Sequence, residues 1–145
     1  MKNLLLLLIL LAPLLANSAT FPSKESARSG EHCKSEWTKR GQLDQRMYDY
    51  CMKREGEGYA EALILMEKYK NQPWIQDVIN FSIKEWTKAG VRQDSMVKFS
   101  MAKIIDGWED MVYESKQPGF NKGKHQSCQS KWGVQFNMVA YCYKQ

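Results

Sequence analysis

Residues 33–51, CKSEWTKRGQLDQRMYDYC, and residues 82–100, SIKEWTKAGVRQDSMVKFS, align at a constant offset of 49. Glu36, Trp37, Thr38, Lys39 and Met47 of the first block correspond to Glu85, Trp86, Thr87, Lys88 and Met96 of the second. The correspondence runs on through Met52/Met101, Glu57/Asp106, Gly58/Gly107, Tyr59/Trp108 and Glu61/Asp110. A third block, CQSKWGVQFNMVAYC at 128–142, keeps Cys-x3-Trp and Met-x3-Cys but is four residues shorter in the middle. A chain copied from one short unit buries its apolar surface by stacking neighbouring copies. With 145 residues and no Gly-rich phosphate loop, it has no room for a nucleotide-binding sheet beside a substrate domain.

The unit reads as a helical hairpin. Apolar residues recur at helical spacing in its second element: Met47, Tyr59, Ala62, Met66 and Tyr69 in one copy, Met96, Ile104, Trp108 and Met111 in the next. Alternation of β-branched residues is scarce, which argues against sheet. Pro73 opens and Gly90 closes a helix framed by PWIQDVINFSIKEWTKA. A long helix over 44–70 carries Gly56 and Gly58, weak points where a kink is expected. In antiparallel helices, facing positions have a constant sum. That sum is 84 for Cys33/Cys51 and for Trp37/Met47, and 270 for Cys128/Cys142 and for Trp132/Met138. Each hairpin therefore sets a Cys–Cys or Ser–Ser pair one helical turn from a Trp–Met pair.

Lys2, an apolar run over Leu4–Leu15 and the small exit Ala16-Asn17-Ser18 read as a secretory signal peptide. Cleavage after Ser18 is expected, with Ala19 as the near alternative. The run spans about twelve residues, whereas a bilayer-spanning helix needs roughly 20. The signal peptide is therefore assigned to 1–18, a flexible mature N-terminus to 19–29, and a single helical-repeat domain to 30–145. The copies lie near 30–70, 73–116 and 120–145.

Four cysteines in an exported chain allow three pairings. Both cysteine positions are serine in the middle copy, so the pair is lost as a pair, which selects Cys33–Cys51 and Cys128–Cys142. Each bridge closes a small loop, worth about 3 kcal/mol in the chain-entropy model. A metal site would need two distant pairs to converge, and the tight Cys-x2-Cys spacing of zinc sites is absent. Repeated methionines could hold copper, but those that follow the repeat are read as packing residues. No cofactor is expected.

Catalytic constellations are weak. His32 and His125 occupy non-equivalent places, the cysteines are committed to bridges, and there is no Gly-x-Ser-x-Gly elbow. The repeated carboxylates Glu36/Glu85, Glu57/Asp106 and Glu61/Asp110 are the residues from which a small envelope hydrolase would be built. Residues kept in tandem copies more often serve the fold of the copy.

Charge is uneven. Of 21 basic and 16 acidic residues, Lys116 to Gln145 holds five lysines and no acid. Lys122, Lys124, Lys131 and Lys144 interleave there with Phe120, Trp132, Phe136, Tyr141 and Tyr143, a composition suited to an acidic envelope component or protein, or to peripheral membrane contact. Nucleic acid is set aside because of the export signal.

The pattern Cys128-x3-Trp132 followed by Met138-x2-Tyr141-Cys142, and its first-copy form around Cys33, Trp37, Met47 and Cys51, resembles a motif of small exported bacterial proteins. That resemblance implies a periplasmic or secreted setting and brings no activity or catalytic residue with it. The sequence thus specifies an all-α fold of tandem helical hairpins, two and a half repeats of about 49 residues stapled by intra-hairpin disulfides. The expected function is non-catalytic binding of a protein or polymer in the cell envelope. The alternatives are the small hydrolase and an inhibitor or immunity protein of an envelope-acting enzyme.

Overall fold

A computed structural model of the chain describes residues 23–145; the expected signal peptide at 1–18 lies outside the described residues. Helices dominate. They are α1 (Ser23–Trp37), α2 (Gln45–Lys68), α3 (Ile75–Glu85), α4 (Asp94–Glu114), α5 (Lys122–Trp132) and α6 (Phe136–Lys144). None of them is long and apolar enough to cross a membrane. Helix α1 already covers 23–29, where a flexible N-terminus was expected, because Ser29 is buried and Gly30 lies beside Tyr48 and Met52 of α2.

Each pair of helices forms a hairpin, and the link between them explains the length difference seen in sequence. In the first two pairs the link is a two-residue antiparallel ribbon, β1 (Thr38–Lys39) with β2 (Gln42–Leu43), then β3 (Thr87–Lys88) with β4 (Val91–Arg92). Its tip needs positive φ at both central residues, as in a type I′ turn. Arg40 (53°) and Gly41 (78°) supply it, as do Ala89 (50°) and Gly90 (77°). Helix α3 therefore ends at its C-cap Trp86, not at Gly90, which belongs to the turn. The small ribbons escaped the sequence reading because Arg-Gly and Ala-Gly lack the Asn or Asp that usually marks such turns. In the third pair the ribbon is missing and Gly133 (φ 55°) turns the chain alone. All three links end alike: the amides of Asp44, Gln93 and Gln135 donate to the carbonyls of Trp37, Trp86 and Trp132 at 3.0, 3.0 and 3.1 Å.

Both expected disulfides are present, Cys33–Cys51 and Cys128–Cys142, with Cα separations of 5.7 and 5.8 Å. Where the middle pair lacks cysteine, Ser82 and Ser100 take the same place, their hydroxyls 3.1 Å apart and buried. A hydrogen bond stands in for a covalent one.

The core is centred on α4. Val97, Met101, Ile104, Ile105 and Met111 pack against Ala62 and Tyr69 of α2, Val78 and Ile79 of α3, and Phe136, Val139 and Ala140 of α6. Met101 is fully buried, while Met96, expected in the apolar stripe, lines a surface groove. Helix α2 runs unbroken across Gly56 and Gly58. The role of Gly58 is close approach: a Cβ there would lie 2.6 Å from the Ser95 amide nitrogen. Gly107 repeats the device, since its Cβ would lie 2.5 Å from the Phe136 carbonyl carbon. The second helix of one hairpin thus seats the first turn of the second helix of the next. Glu61–Lys98 and Tyr69–Glu109 join α2 to α4 in the same parallel sense. Pairing of position 61 with 98, against a repeat offset of 49, advances α4 along α2 by about twelve residues, or ~18 Å.

A candidate binding face

The helical period decides what this staircase shows to solvent. Cys51, Ser100 and Cys142 point into their own hairpins, so each preceding residue, about 100° round the helix, points outward. Those residues are Tyr50, Phe99 and Tyr141, which are 56%, 47% and 61% exposed. A second repeat position behaves in the same way: Ile64 and its counterpart Tyr113 are 66% and 64% exposed. Among the described residues, every exposed large apolar side chain falls on one of these two positions.

Stagger brings the two positions together. Tyr50 and Ile64 are separated by fourteen residues, as are Phe99 and Tyr113, about 21 Å of helix rise. The advance of α4 along α2 is nearly the same. By register, Phe99 therefore comes level with Ile64, and Tyr141 with the last turns of α4 that carry Tyr113. The exposed apolar side chains form a diagonal band across α2, α4 and α6. Scattered surface apolar residues are ordinary; placement at repeat positions is what sets these apart.

A groove of about 320 Å³ runs beside the band, walled by Arg54, Glu57 and Glu61 of α2 and by Met96, Lys98 and Phe99 of α4. Its charges are partnered: Lys98 with Glu61, Lys53 with Glu57 at 3.7 Å, and Arg54 donating to the Ser95 hydroxyl at 3.4 Å. Phe99 also borders a second recess, between the end of α3 and the start of α6.

The repeated carboxylates are largely engaged in holding neighbours. Glu36 lies 3.6 Å from His32, Glu85 accepts from the Ser100 hydroxyl at 2.9 Å, and Asp110 pairs with Lys144 at 2.9 Å. Glu61 and Asp110 do equivalent work, each held by a lysine from the next hairpin's second helix. Two acids that do not follow the repeat are the buried ones. Glu55, 2% exposed, accepts from the amide and hydroxyl of Ser95 at 3.3 and 2.5 Å. Asp94, 3% exposed, has its pKa raised chiefly by burial, against the lowering effect of Arg92. Arg92 Nε sits 2.7 Å from Asp94 Oδ1, an ion pair between two largely buried side chains. Sequence reading missed both acids because nothing in a polar residue's own spacing shows which helix will cover it.

The four lysines proposed as a binding surface are spread out. Lys122, Lys124 and Lys131 are exposed on α5, and helical geometry puts Lys124 and Lys131 on one side with Lys122 opposite. Lys124 lies over the Tyr143 ring at 5.7 Å and Lys131 over the Trp132 ring at 5.3 Å. Lys144 is bound to Asp110, which raises its pKa. The basic segment is thus an α5 surface with Lys144 spent on the junction with α4.

No protein-family model matches this sequence, and neither the curated proteins nor the solved structures give a match to it.

Proposed function

We propose that the chain is an exported, non-catalytic binding module of the cell envelope, and that its partner contacts the apolar band of Tyr50, Ile64, Phe99, Tyr113 and Tyr141. One observation carries this reading: the large apolar side chains left in solvent recur at equivalent places in successive hairpins. A stack presents a repeated surface, and aromatic side chains contribute large contact area at low entropic cost. The two disulfides suit an oxidising compartment, periplasmic or extracellular. The partner is a protein or an envelope polymer, and the α5 lysines favour acidic groups at the edge of the contact. The engagement of Glu36, Glu61, Glu85 and Asp110 with neighbouring side chains favours binding over hydrolysis by the repeated acids.

The test is co-sedimentation of the purified protein with isolated cell-wall sacculi and with envelope extract. A triple variant, Tyr50→Ser/Phe99→Ser/Tyr141→Ser, changes only exposed positions and should keep its unfolding temperature. We expect it to lose at least tenfold in binding. Undiminished binding by the variant, or turnover of the polymer by the protein, would overturn the proposal.

A further inference from the structure

The hairpin links differ from the flanks of the stack in how their charges are used. Residues 34–46, 84–94 and 131 hold eight cations and four acids. All four acids are engaged. Glu36 lies 3.6 Å from His32, Asp44 accepts from the Met47 amide at 3.1 Å, Glu85 accepts from Ser100 at 2.9 Å, and Asp94 pairs with Arg92 at 2.7 Å. The other seven cations are exposed, and among the described residues none of them is in an ion pair. They are Lys34, Lys39, Arg40 and Arg46 at the first link, Lys84 and Lys88 at the second, and Lys131 at the third. Lys88 and Lys131 lie over the Trp86 and Trp132 rings at 5.5 and 5.3 Å, contacts that place an ammonium group without neutralising it. On the flanks, by contrast, Lys53, Lys70, Lys98 and Lys144 each meet a carboxylate.

Stacking sets the links in a row. Gly58 meets Ser95, whose first-copy counterpart is Arg46, and 58 − 46 is a step of twelve residues. Gly107 meets Asn137, whose middle-copy counterpart is Ser95, and 107 − 95 is twelve again. Each step is ~18 Å of helix. With packed axes about 8–10 Å apart, successive links stand about 20 Å from one another, and the row of three spans about 40 Å. That spacing exceeds the Debye length of about 8 Å at physiological ionic strength, so the links do not repel one another strongly. Each acts as a separate cationic point on one edge of the stack.

We propose that this row of links binds a linear polyanion, a chain laid across the steps so that its phosphate or carboxylate groups meet one link after another. The inference goes beyond the binding-module reading and makes no use of the apolar band. Charge complementarity supplies the attraction, and engagement of several links at once supplies the affinity. An anionic membrane surface is the weaker fit, because residues 38–41 and 87–90 carry no large apolar side chain with which to enter a bilayer.

The test is calorimetric titration with long-chain polyphosphate and with polygalacturonate. Each is compared with its short form, tripolyphosphate or digalacturonate, which cannot reach from one link to the next. At least one long form should bind tenfold tighter per charged group than its short form, and the polymer that does so identifies the anion. Lys39→Gln/Arg40→Asn/Lys88→Gln changes only exposed positions, and asparagine tolerates the positive φ at 40. It should keep its unfolding temperature while weakening the long form at least tenfold. Lys53→Gln/Lys70→Gln/Lys116→Gln removes the same charge away from the links and should cost less than threefold. Tyr50→Ser/Phe99→Ser/Tyr141→Ser should bind the polyanion as the parent does, so this inference and the apolar-band reading can fail separately. The inference is overturned if neither long form outbinds its short form, or if the flank or band variant loses as much as the link variant. Binding to anionic lipid vesicles with none to either polymer would overturn it too.

Discussion

Replacing Gly58 with alanine sets two effects of opposite sign against each other. Alanine is the better helix former, and inside an exposed helix the exchange stabilises by about 1 kcal/mol. Gly58 is buried against α4, however, and the new Cβ would lie 2.6 Å from the Ser95 nitrogen and 2.9 Å from the Asp94 carbonyl carbon. Ordinary carbon contacts are about 3.5–4.0 Å, so α4 must withdraw by roughly 1 Å. The obstacle is backbone, which has no rotamer by which to give way. Overpacking of this kind costs about 1–3 kcal/mol. Withdrawal also stretches the Ser95 bonds to the buried Glu55 carboxylate, at about 1.5–3 kcal/mol for a bond to a charged group. After the propensity gain, a net loss of about 2–4 kcal/mol remains, a fall of roughly 8–15 °C in Tm for a domain of this size. Thermal and urea unfolding followed by far-ultraviolet circular dichroism, with disulfides intact, measures it. Gly107→Ala should behave alike, its Cβ lying 2.5 Å from the Phe136 carbonyl carbon. Gly123→Ala is the control: its Cβ meets only the Asn121 side chain, at an ordinary 3.5 Å, so stability should hold or rise. Gly58→Ala as stable as the parent would refute the idea that these glycines seat one hairpin on the next.

Two further outcomes bear on the same architecture. Ser82→Cys/Ser100→Cys should form a third disulfide on oxidation, since the two hydroxyls are 3.1 Å apart where the other hairpins hold cystine. It should stabilise by about 3 kcal/mol in the chain-entropy model; persistent free thiols in the oxidised variant would contradict the structural equivalence. Asp94 makes a prediction in pH. Its folded pKa is raised above 3.8, so on acidification the folded state takes up a proton before the unfolded state does. Its contribution therefore shifts in favour of folding as pH falls from neutral through the raised value, and the shift is complete below 3.8. The stability of the parent minus that of Asp94→Asn should increase between pH 7 and pH 4; a decrease would show that the pair with Arg92 outweighs burial.

Much of the fold was legible because its information is local. Within a hairpin, the cystine or serine pair and the tryptophan lie within about twenty residues of one another, and their constant sums already imply facing helices. The candidate face was half legible: the aromatic before the second cysteine is visible in Tyr50, Phe99 and Tyr141, but its exposure follows only from knowing which way Cys51 and Ser100 point. Gly58 and Gly107 are visible as a repeated pair, and Gly58 reads with Gly56 as a kink point, since a sequence shows the missing side chain and not the backbone that fills its place. The ribbons at Arg40-Gly41 and Ala89-Gly90 carried only glycine as a signal.

Read alone, the amino-acid order determines the helical class, the copied unit and the partners of all four cysteines. These depend on helical period and on residues close together along the chain. Tertiary structure decided how far each hairpin advances along the last, and which polar groups end up under a neighbour. Those outcomes depend on contacts between residues some 40 positions apart, such as Glu55 with Ser95 and Gly58 with the start of α4. Only the stacking shows that replacing Glu55 with its counterpart Ile104 leaves Asn137 Oδ1 buried and unpaired, because that pairing belongs to neither helix until the two meet.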